Sequence, residues 1–115
     1  MNSEKKYVQE IYATLTEKGF STNTTHEKIK AALEEFPNST HLWCLRGNMI
    51  LLDDECDNDF ELEDALSSYE KALEINPNCV EALEETGYFY FNILDEEEKA
   101  KPYLKKAEKL KSYGV

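Results

Sequence analysis

Residues Ala65–Pro77 read ALSSYEKALEINP, and this stretch decides the fold. Ala65, Tyr69 and Ala72 stand four and three residues apart, which places them on one face of a helix. Pro77 closes the segment, because proline disfavours helical backbone in the residue before it. Forty residues upstream, THEKIKAALEEFP carries Thr25, Ile29, Ala32 and Pro37 at the same offsets. The chain repeats itself.

Outward from this stretch, helical periodicity continues in both directions. From about Ser3 to Lys18, the residues Tyr7, Val8, Ile11, Tyr12 and Leu15 form a stripe that Gly19 ends. Thr24 and Glu27 have the spacing of a capping box for a second helix that buries Ile29, Ala32, Leu33 and Phe36. A third helix, about Ser39 to Leu52, carries Leu42, Trp43, Leu45, Met49 and Ile50. Its Gly47 implies a neighbouring helix passing too close for a side chain, since mid-helix glycine costs about 1 kcal/mol relative to alanine. The fourth spans about Phe60 to Ile75. Asn78 and Glu81 repeat the capping-box spacing for a fifth, in which Gly87 follows Leu83 as Gly47 follows Trp43. In the last, about Glu97 to Ser112, Ala100, Leu104 and Ala107 take the offsets of Ala65, Tyr69 and Ala72. Pro102 there belongs in the first turn or kinks the helix, because it has no amide donor.

Composition bounds the function. The chain has 115 residues, one domain's worth, and its 41% hydrophobic and 11% aromatic content argues for a packed core. The net charge of −11 is unevenly spread: residues 53–98 hold seventeen acidic side chains and one basic, whereas 99–115 hold six basic and one acidic. The segment Asp53–Asp64, DDECDNDFELED, has eight acidic residues and reads as an exposed loop. Such a field repels nucleic acid and anionic membrane and steers a basic protein or peptide toward the chain. Cys44, Cys56 and Cys79 are odd in number and far apart, in neither disulfide nor zinc spacing. No signal-like or membrane-spanning apolar run occurs, so a cytoplasmic protein is expected.

The repeat resembles the tetratricopeptide repeat (TPR), a helix pair with a bulky residue followed by a small one in its first helix and Ala, aromatic, Ala, Pro in its second. Ala65, Tyr69, Ala72 and Pro77 fill the second-helix pattern; Trp43 with Gly47, and Leu83 with Gly87 and Tyr90, fill the first. The resemblance implies an all-α fold, a right-handed stack of three helix-turn-helix pairs in a single domain over residues 1–115. The pairs lie at about 3–36, 39–76 and 79–112, with the acidic insertion at 53–64. It also implies a concave groove that binds protein segments, without catalysis and without a cofactor or metal. By position, that groove takes His41, Cys44, Asn48 and Leu51 from the third helix and Glu81, Glu84, Tyr88, Phe91 and Asn92 from the fifth. In chaperone-binding members, lysine and arginine there clamp a terminal carboxylate. Cys44, Glu84 and Tyr88 stand in those places, which disfavours a clamp. Tyr90, at the stacking position, is expected in the core.

Chemistry has little foothold. His26 and His41 are the only histidines and read as surface residues, too few for a metal triad. Asp53, Glu55, Asp57, Asp59 and Glu61 lack the glycine that a calcium loop needs at its sixth position. The function expected is therefore a non-enzymatic interaction module whose groove, with Asp53, Asp54, Glu55, Asp57 and Asp59 of the loop, binds a basic partner. Small acidic members of this kind look like immunity proteins that neutralise bacterial toxins. The alternative is a scaffold module: a monomer is the first expectation, but the apolar first helix, with Tyr7, Val8, Ile11 and Tyr12, offers a face for a homodimer.

Overall fold

The computed structural model describes residues 3–53 and 60–113. Among them are six α-helices and no strand: α1 (Glu4–Lys18), α2 (Asn23–Glu35), α3 (Thr40–Leu51), α4 (Leu62–Ile75), α5 (Val80–Tyr88) and α6 (Glu97–Tyr113). A π-helical turn, Phe89–Ile93, prolongs α5. Each helix packs on the next in sequence, and α3 also meets α5.

Local chemistry sets the boundaries. Ser3 Oγ accepts from the Lys6 amide at 3.1 Å, Ser39 Oγ from the Leu42 amide at 3.1 Å, and Gly19 ends α1 in the left-handed region at φ 82°. Two expected caps differ. α2 begins earlier than the Thr24–Glu27 spacing predicts, because the Thr22 amide donates to Thr25 Oγ1 at 3.1 Å. α5 starts from Cys79 without a side-chain cap, and the Asn78 amide instead donates to Asn76 Oδ1 at 3.0 Å. Pro102 is also deeper in α6 than the first turn, which leaves the Glu98 carbonyl without its usual amide partner.

The turns at Pro37 and Pro77 are built alike. Phe36 and Asn76 donate backbone bonds to Ala32 (2.8 Å) and Ala72 (2.9 Å), and Ser39 and Cys79 donate to Phe36 (3.2 Å) and Asn76 (3.0 Å). The close crossing inferred at Gly47 is present and recurs. A Cβ on Gly47 would stand 2.5 Å from Tyr69 Cε1 and 3.0 Å from the Ala65 carbonyl oxygen, and one on Gly87 would stand 2.5 Å from Leu104 Cδ2.

α3 is the central element. Leu42, Leu45 and Met49 on one side join Tyr7, Ile11, Ile29 and Ala32 in a core with α1 and α2. Cys44 and Ile50 on the other side join Ala65, Tyr69, Ala72, Ala82 and Phe89. A helix buried on two sides carries apolar residues around most of its circumference, and here His41, Arg46 and Asn48 are among the half-buried polar exceptions. In α1, Tyr7 and Ile11 are buried in this core, Val8 is half-buried against it and Tyr12 is exposed.

Candidate functional site

One pair of the expected groove residues, His41 of α3 and Glu81 of α5, meets across the two helices. His41 Nδ1 lies 3.0 Å from Glu81 Oε1 and 3.1 Å from Oε2. This bond raises the His41 pKa, against the opposing effect of burial. Glu81, Glu84, Glu85 and Tyr88 follow at steps of three, four and seven along α5, so they form one stripe. Burial first, and then Glu81 and Glu84, raise the Glu85 carboxyl above its usual range. Glu84 pairs with Lys111 from the last turn of α6. Past them, Tyr88 is 49% exposed and Phe91 47%, and Asn92, Ile93 and Leu94 are also exposed.

The other expected residues of α3 differ in exposure: Asn48 and Leu51 are half-buried. Cys44 is fully buried, 0% exposed, because it faces the Ala65–Tyr69 side of α3; burial pushes its thiol pKa well up. Asn48 Oδ1 is committed to the Tyr69 hydroxyl at 2.6 Å, and Leu51 packs against the same core. Asp53 does not belong to an open loop. It forms a β-bridge with Ser21, and its Oδ1 lies 3.7 Å from His26 Nε2. Asp54, Glu55, Asp57 and Asp59 lie outside the described residues.

Two further positions differ from the sequence reading. Phe89 is the buried aromatic of this region, packed edge to face on Tyr69 at 6.4 Å, while Tyr90 is half-buried and stacks on Tyr103 of α6 at 5.8 Å. His26 is not a surface residue. Its side chain is 10% exposed and lies against Phe60, ring centroids 4.6 Å apart. Desolvation lowers its pKa despite the nearby Asp53.

His26 and Phe60 border a cavity of about 650 Å³ between α2 and α3, on surface that also includes Ile29, Leu33, Trp43 and Arg46. The Arg46 guanidinium lies 5.5 Å from the centre of the Phe60 ring, and its Nη1 donates to Ser68 Oγ at 2.5 Å and to the Asp64 carbonyl at 3.4 Å. The sequence held a signal for this site in Arg46, the one lysine or arginine of a third helix that has no acidic residue. Among the described residues, no three His, Cys, Asp or Glu side chains converge to hold a metal ion, and no helix is long and apolar enough to cross a membrane.

The chain matches no known protein family, and no curated protein sequence matches it.

Proposed function

We propose that this chain is a protein-binding module whose helix pairs stack as tetratricopeptide repeats do, and that the α5 stripe from Glu81 to Asn92 receives a basic segment of a partner protein. The observation that carries this reading is the exposure of Tyr88, 49%, at the end of the helix that carries Glu81, Glu84 and Glu85, and of Phe91, 47%, in the π-helical turn that prolongs it. Large aromatics left in water next to fixed negative charge suit a segment that mixes apolar and cationic side chains. The repeated turns and glycine crossings support the stacked-pair reading. The acid block at 53–98 supports a cationic partner by steering it. A basic toxin domain, neutralised by the bound chain in the cytoplasm, is the narrower form of the proposal.

Selection of displayed random peptides tests it. Peptides enriched on the native chain should carry net positive charge and an apolar residue, and the Tyr88→Ala/Phe91→Ala double variant should lose them. Enrichment of neutral or acidic peptides, undiminished retention by the double variant, or no enrichment would contradict the proposal.

A further inference from the structure

The cavity between α2 and α3 lies apart from the α5 stripe and has its own chemistry. At about 650 Å³ it falls in the size range of small-molecule sites. Its apolar surface comes from Ile29, Leu33, Trp43 and Phe60. Two polar groups at its border are incompletely used. Arg46 is half-buried, yet among the described residues only its Nη1 has acceptors, a hydroxyl and a carbonyl, and no carboxylate pairs with it. A guanidinium has five N–H donors, so most of them have no acceptor among the described residues. His26 is nine-tenths buried at the same border, and its Nε2 makes no hydrogen bond. Burial opposes the Arg46 charge, and Asp64 offsets this without forming an ion pair, so a carboxylate in fork geometry would satisfy donors that Asp64 does not reach.

We propose that this cavity binds a small apolar carboxylate, with its hydrocarbon or aromatic body against Trp43 and Phe60 and its carboxylate on the unclaimed donors of Arg46. Glu27 and Glu34 at the rim are exposed and oppose an anion only weakly, because water screens them. Asp53, 10% exposed beside His26, and Asp64, near Arg46, also oppose an anion, but Arg46, half-buried against a ring, lines the cavity itself and acts there through a lower effective dielectric. Lys30, also at the rim, adds to the positive side.

Trp43 is the only tryptophan, so its indole N–H gives a single NMR signal beside the cavity. Titration with 3-phenylpropionate, its amide and phenethylamine compares three ligands of similar shape and different charge. The carboxylate should shift the Trp43 signal saturably and bind about fivefold or more tightly than either of the others. Arg46→Gln should remove that preference while the amide still shifts the signal, which shows the cavity intact. The wild-type comparison stands alone if the variant does not fold. No saturable shift, equal or tighter binding of the amide or amine, or an unchanged preference in folded Arg46→Gln would overturn the proposal.

Discussion

His41 Nδ1 and Glu81 Oε1 are 3.0 Å apart and their residues are forty positions apart in sequence, so one hydrogen bond joins equivalent points of α3 and α5. Glu81 favours the protonated imidazole, and the His41 pKa therefore lies above its ordinary 6.5. The contribution of this pair to stability is full below pH about 6.5 and disappears as pH rises through the folded-state value. Both side chains are more than a third exposed, so the contribution is small, at most about a few tenths of a kcal/mol. His26 behaves oppositely. Burial holds its pKa below 6.5, so its contribution is present above that pH and is lost as pH falls through the folded-state value. An NMR titration of the two histidines should give values on opposite sides of 6.5, and Glu81→Gln should lower only that of His41.

The two glycine crossings should respond unequally to alanine. At Gly47 the new methyl meets the ring of fully buried Tyr69 and the Ala65 backbone, neither of which can withdraw easily. Overpacking of this kind costs about 1–3 kcal/mol, more than the helix propensity that alanine restores. At Gly87 it meets Leu104, with Cδ2 at 2.5 Å and Cγ at 2.6 Å but no backbone atom, so this half-buried side chain must turn aside as a whole and the propensity gain offsets part of that cost. Urea denaturation should show Gly47→Ala clearly destabilised and Gly87→Ala less so.

Thiol accessibility offers a third check. Cys44 is fully buried and its thiolate is strongly disfavoured, whereas Cys79 is half-buried. Brief alkylation of the native chain followed by mass spectrometry should leave Cys44 unmodified, and denaturation should expose it.

The packing frame was legible because it depends on steric identity at fixed spacing. Gly47, Ala65, Tyr69 and Pro77 each have one physical role, and periodicity locates it. Phe89 was missed because α5 is buried on two sides: the Leu83–Gly87–Tyr90 line meets α6, while the Ala82–Phe89 line meets the core beside α3 and α4. Nor could periodicity reveal the environment of His26, which is set by Phe60 and Asp53 from either side of a different connection. The same holds for Cys44, whose position on α3 is visible in sequence but whose burial depends on where α4 lies.

Lys111 already places a cation on the proposed stripe, through its pair with Glu84. A basic ligand must displace it or share that carboxylate. Lys111→Met should therefore strengthen binding of a selected basic peptide, by about two- to fivefold given the modest worth of exposed pairs. Fluorescence anisotropy with a labelled peptide measures the change.

The most direct measurement of the central claim is an amide-shift map of the chain with one such peptide, at low and at high salt. We expect the perturbations to cluster on Glu81, Glu84, Tyr88 and Phe91, and affinity to fall as ionic strength rises. Perturbations centred elsewhere, or affinity indifferent to salt, would contradict the assignment of this stripe as a surface for basic partners.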